Sequence, residues 1–92
     1  MNEKRISEEC DALERLLLAK NAAYGDSASR APILMPTLET TTAIFVRMSD
    51  KIARIRSLLS GAEANEESLD DTIRDLAGYC VLYLATKEKK ER

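Results

Sequence analysis

Ser68-Leu69-Asp70-Asp71-Thr72-Ile73-Arg74-Asp75-Leu76-Ala77-Gly78-Tyr79-Cys80-Val81-Leu82-Tyr83-Leu84-Ala85 decides the fold. Leu69, Ile73, Leu76, Cys80 and Leu84 return at steps of three and four, the period of one helical face. Ser68 followed by Asp71 has the form of a capping box with Asp in place of Glu, so a helix is expected over about 68–87. Its later part, Cys80-Val81-Leu82-Tyr83-Leu84-Ala85, is apolar on every side. Such a helix needs cover on several faces, more than one small chain provides. The 80–85 region is therefore expected to carry a homo-oligomer interface, a dimer or a tetramer.

Working outward, Phe45, Met48, Ile52, Ile55 and Leu59 make a second seam at the same spacing. A helix is expected over about 38–59, with Thr37 as its cap and Gly61 as its stop, and a turn over 62–67. Before it, the 24–36 segment holds Pro32 and Pro36, which block a continuous helix. It also holds Ile33, Leu34 and Met35, expected to pack on the core or on a partner. The first helix is expected over about 7–22, capped by Ser7, with Cys10, Leu13 and Leu17 on its apolar face and Gly25 as its stop. No stretch alternates with period two. The reading is an all-α chain of three main helices in a small bundle, one domain over 1–92, oligomeric.

Composition narrows the chemistry. Fourteen basic residues against sixteen acidic ones argue against a dedicated nucleic-acid coat. The apolar run over 77–85 is too short to span a bilayer, and the polar N-terminus has no signal-peptide pattern. The two cysteines, Cys10 and Cys80, form no CxxC pair, read as core residues, and imply a cytoplasmic protein with reduced thiols. With no histidine, the commonest general base and transition-metal ligand is missing, so any metal is expected to be Mg²⁺ or Mn²⁺ on carboxylates.

Three clusters carry the candidate chemistry. Lys20-Asn21 and Tyr24-Gly25-Asp26 close the first helix, either as a C-terminal cap or as a phosphate and base contact. Arg47, Asp50, Lys51 and Arg54 share one face of the second helix. Glu67, Asp71 and Asp75 stack one turn apart on the third, where like charges repel and call for a cation. Two answers stand open. An antiparallel hairpin brings the Arg47, Lys51 and Arg54 face alongside as a salt-bridge lattice, the answer spacing alone favours. Otherwise Asp71 and Asp75, with Asp50 or Glu67, hold Mg²⁺ and leave Lys20, Arg47, Lys51 and Arg54 for a substrate's phosphates, with Asn21, Tyr24 or Tyr79 at the base. Gly78 lies on the same face as Asp71 and Asp75 and costs a helix about 0.8–1.0 kcal/mol relative to alanine. Close approach of another backbone or of a ligand would explain it, tight helix packing being the commoner cause.

Together, Lys20-Asn21-Ala22-Ala23-Tyr24-Gly25-Asp26-Ser27, Val46-Arg47-Met48-Ser49-Asp50-Lys51-Ile52-Ala53-Arg54-Ile55 and Glu67-Ser68-Leu69-Asp70-Asp71-Thr72-Ile73-Arg74-Asp75-Leu76-Ala77-Gly78-Tyr79 resemble the phage and prophage family called nucleotide modification associated domain 1. That resemblance implies a nucleotide-binding protein of phage nucleotide or DNA-base metabolism. The acidic cluster of the third helix is also similar to the second acidic motif of MazG-type all-α nucleotide pyrophosphohydrolases, which implies a Mg²⁺-dependent nucleoside triphosphate phosphohydrolase. The first motif of that family, a doubled glutamate with a further acid, is missing here; among the basic residues of the second helix stands only Asp50. No catalytic residue is assigned. The alternative function is a non-catalytic homo-oligomeric interaction module, whose charged band is an internal lattice.

Overall fold

The computed structural model describes residues 1–24, 31–61 and 66–87. Three helices follow one another: α1 (Glu3–Tyr24), α2 (Thr40–Leu59) and α3 (Glu66–Thr86), with no strand among the described residues. The all-α expectation holds, and each expected helix is present with its ends shifted.

The shifts have local causes. Asn2, not Ser7, caps α1: its side-chain oxygen accepts from the backbone N–H groups of Lys4 at 3.0 Å and Arg5 at 3.3 Å. Arg5 then reaches forward to Glu8 and Glu9, and these two carboxylates raise its pKa above the ordinary guanidinium value. At α2 the N-cap is Glu39, in extended conformation and without a side-chain cap bond, instead of Thr37. Two turns precede it, closed by Met35 N–H to the Pro32 carbonyl and Leu38 N–H to the Met35 carbonyl, both 3.0 Å. These turns use up the segment in which Thr37 was expected to start the helix. Gly61 ends α2 as expected, in the left-handed region at φ 87°. In α3, Ser68 lies inside the helix, not at its cap, and its carbonyl accepts the buried Thr72 hydroxyl at 2.7 Å.

α2 and α3 form an antiparallel hairpin. Phe45 meets Tyr83 with ring centroids 4.7 Å apart, and Lys51 meets Asp75 further along, so one helix ascends as the other descends. The packed face of α2 carries Ile44, Met48, Lys51, Ile55 and Leu58; that of α3 carries Thr72, Asp75, Leu76, Tyr79 and Tyr83. Ile44 is 1% exposed and, with Ala43 and Leu58, makes up the buried apolar core of the described residues.

This corrects the expected seams. Phe45, Ile52 and Leu59 on α2, and Ile73 and Leu84 on α3, are exposed side chains of the hairpin. The periodicity is real, but each seam is only partly packed: Met48 and Ile55 on α2 and Leu76 on α3 belong to the packed faces, and the remaining members turn towards the neighbouring face. Cys10 is likewise exposed and not in a core, while Cys80 is half-buried. Ile33 and Leu34, 94% and 93% exposed, do not pack on the core.

α1 lies along the other side of the hairpin and touches it at few points. Leu17 and Leu13 approach Gly78, and Glu9 faces Arg74 at 3.7 Å. A Cβ at Gly78 would sit 3.2 Å from the Leu17 side chain, so this glycine lets α1 come close. Tight helix packing is therefore the cause of the mid-helix glycine. Among the described residues, no helix is long and apolar enough to cross a membrane.

Candidate functional site

Where α1 leans on the hairpin, it leaves a cleft of about 340 Å³, within the size range of small-molecule sites. Its apolar wall comes from α1 (Leu13, Leu16, Leu17) and from Leu82 of α3. Its polar groups come from all three helices: Lys20 and Asn21 from α1, Arg47 from α2, and Arg74, Asp75 and Tyr79 from α3. Helical spacing explains the convergence. Arg74 and Asp75 lie four and three residues before Gly78, and Leu82 four after it, so the stripe of α3 that receives Leu17 also turns its charges towards α1.

The electrostatics are lopsided. Three cations face one carboxylate in the lining, and that carboxylate is already engaged, since Lys51 Nζ stands 3.0 Å from Asp75 Oδ2. Both side chains are about one-third exposed, so the pair contributes at most about 1 kcal/mol. Arg74 is shared between Glu9 at 3.7 Å and Asp71 at 3.5 Å. Among the described residues, no carboxylate pairs with Lys20 or Arg47. Two cations from different helices thus flank one cleft without a described counter-charge, an arrangement that suits an anionic ligand.

Of the expected site residues, the structure brings Lys20, Asn21, Arg47, Asp75 and Tyr79 into one lining. Lys51 joins through Asp75, and Asp71 through Arg74. Asp50 and Arg54 belong to α2 but not to the cleft wall, and both are exposed. The side chains of Tyr24 and Glu67 lie outside the described residues. The two answers to the acidic stack on α3 are thereby partly separated: at Asp75 the cation is Lys51. Among the described residues, no group of three potential ligands is placed to hold a metal ion. Asp71 and Asp75, one turn apart, are two carboxylates, which suits Mg²⁺ only when ligand phosphates complete its shell.

Sequence reasoning gives Arg74 no role, and it misses the leucine wall. Leu16 and Leu82 read as core in any helical periodicity, and nothing in their spacing says that the surface they make is a cleft. Comparison with protein-family models, curated proteins and solved structures finds no match for this chain.

Proposed function

We propose that this chain binds a phosphate-bearing nucleotide in the cleft between α1 and the hairpin, as a phage-type protein of nucleotide or DNA-base modification. One observation carries the reading. Lys20 and Arg47, reaching from different helices and lacking a described carboxylate partner, meet Arg74 in a cleft whose remaining wall is leucine and tyrosine. Cations satisfy phosphate oxygens, and Tyr79 with the leucines offers a flat apolar bed for a base. Mg²⁺ enters this reading with the ligand, held by Asp71 and Asp75, with Glu67 as the further acid of α3. Hydrolysis of a nucleoside triphosphate is the extension of the same reading.

Calorimetric titration with canonical and modified deoxynucleoside triphosphates, with and without Mg²⁺, tests it. Binding is expected, and Lys20→Ala and Arg47→Ala should each weaken it about tenfold, the value of one charge-assisted contact. Nucleosides without phosphate should bind far less. No heat and no thermal shift from any nucleotide sinks the reading. Phosphate or pyrophosphate release that needs Mg²⁺ establishes turnover, and binding without release leaves a binding protein.

A second reading, a homo-oligomeric interaction module, has its own observation. In the 80–85 region Val81 and Leu84 are exposed side chains in the middle of an apolar stretch. The two readings are compatible, because neither residue lines the cleft.

A further inference from the structure

The cleft has two ends of different character, and helix register locates them. Phe45 lies against Tyr83 and Lys51 against Asp75, so Arg47, between them on α2, falls level with the turn 79–82 of α3. α1 runs in the same direction as α3: Glu9 faces Arg74, and Leu13 and Leu17 reach Gly78. Lys20 and Asn21, the next turn of α1, therefore also fall level with 79–82. One end of the cleft is Lys20, Asn21 and Arg47. The other is Arg74 and Asp75, roughly 10 Å away along α3, and the leucines and Tyr79 lie between.

The ends offer different chemistry. At the first, Lys20 and Arg47 have no carboxylate partner among the described residues. At the second, charge is already matched: Arg74 is shared by Glu9 and Asp71, and Asp75 holds Lys51. A phosphate group thus seats at the first end, where positive charge is to spare. The base of the same molecule then points to the second end, which has hydrogen-bonding capacity instead of net charge.

We propose that the base read there is guanine, with Asp75 accepting from its Watson–Crick edge and Arg74 donating to O6 and N7. The inference rests on the nucleotide reading above and deepens it by naming the base. A carboxylate only accepts hydrogen bonds. Guanine, alone among the DNA bases, presents two adjacent donors on that edge, the ring N1–H and the 2-amino group. Adenine and cytosine set a ring-nitrogen lone pair beside their amino group, and thymine flanks its N–H with carbonyls, so each turns an acceptor towards the carboxylate. Lys51 Nζ, 3.0 Å from Oδ2, steadies Asp75 and takes one of its roughly four acceptor sites. Arg74 carries five N–H groups in a fork, and arginine against O6 and N7 is the commonest specific contact with a base. Its distances to Asp71 and Glu9, 3.5 and 3.7 Å, exceed the about 2.7–2.9 Å of a tight charge-assisted bond, so the fork has donors to give. Asp75 cannot serve the base and a metal ion together, so guanine recognition is expected without Mg²⁺.

Calorimetric titration of the chain with dGTP, dITP, dATP, dCTP and dTTP in the absence of Mg²⁺ tests this. dGTP should bind at least about tenfold more tightly than dATP, dCTP and dTTP, and dITP, which lacks the 2-amino group, should fall between. Asp75→Asn, which offers a donor as well as an acceptor, should bring dGTP and dATP to similar affinity. Lys20→Ala should weaken all five by the same factor. The base series on the unaltered chain needs no variant to fold. dGTP binding no tighter than dATP or dITP overturns the guanine assignment and leaves the nucleotide reading standing. So does a dGTP preference that Asp75→Asn does not reduce. Binding that appears only with Mg²⁺ gives Asp75 to the metal and overturns the assignment as well. If none of the five binds under either condition, the nucleotide reading falls and takes the inference with it.

Discussion

Of the hairpin's two faces, the one under α1 carries Arg47, Arg74 and Asp75, with Lys51 locked onto Asp75, whereas the one turned away carries Phe45, Ile52, Leu59, Ile73 and Leu84. The charged face is the covered one, and the oily face is open. In a self-sufficient small protein the arrangement would be reversed, because apolar burial is the dominant driving force of folding and exposed charge costs nothing. The inversion teaches that α1 is not chiefly a core-completing helix. It touches the hairpin through Leu13, Leu17 and Glu9, and between those contacts it leaves room for a ligand.

The comparison is most severely tested along the line where the two faces meet. Ile44, at 1% exposure, is the anchor of the α2–α3 contact. Ile44→Ala should cost about 2–5 kcal/mol, read as a collapse of the thermal transition by circular dichroism. A loss below about 1 kcal/mol would mean that the hairpin is held elsewhere, and the division into two faces would lose its physical basis.

A smaller effect sharpens the covered side. Gly78→Ala gains about 0.8–1.0 kcal/mol of helix propensity but sets a methyl group 3.2 Å from the Leu17 side chain. These effects oppose, so the single substitution should lie within about 1 kcal/mol of neutral by chemical denaturation. In a Leu17→Ala background the crowding is gone and the same change should become stabilising by nearly the full propensity. Equal effects in both backgrounds would show that α1 does not rest on Gly78.

The smallest effect separates a lattice pair from a metal ligand. Asp75→Asn removes the partner of Lys51 and should lower stability by about 0.2–1 kcal/mol without metal, less in high salt. Unchanged or increased stability would mean that like-charge repulsion on α3 outweighs the Lys51 pair, as a metal-ligand role requires.

Much of this was legible in the sequence, and the part that was not has a definite cause. Three helices and the Gly61 stop follow from spacing and from conformational freedom. The packed face of α2 did not, because Lys51 sits in the middle of it and breaks the apolar count. On α3, Thr72 and Asp75 do the same. A periodicity argument selects the stripe without polar interruptions, and here that stripe straddles the packed and open faces: Met48, Ile55 and Leu76 are packed, whereas Phe45, Ile52, Leu59, Ile73 and Leu84 are exposed. At the cleft, the charged residues were found because charge at helical spacing is visible in one dimension. Their apolar wall was not, since a leucine facing a cleft and a leucine facing a core have the same pattern. The cap at Asn2 was readable from residue type alone, but Ser7, followed by Glu8 and Glu9, gave a stronger local signal.

The joint between α1 and the hairpin has a consequence for ligand response. Among the described residues, α1 meets the hairpin through Leu13 and Leu17 against Gly78 and through Glu9 against Arg74, so it stands to the hairpin as one partner to another within the same chain. Any molecule that touches Lys20 on α1 and Arg47 on the hairpin at once adds to the grip between them. Reciprocity then follows: what α1 contributes to holding the molecule, the molecule returns in holding α1, and proteolytic nicking of α1 would slow in its presence by the same factor.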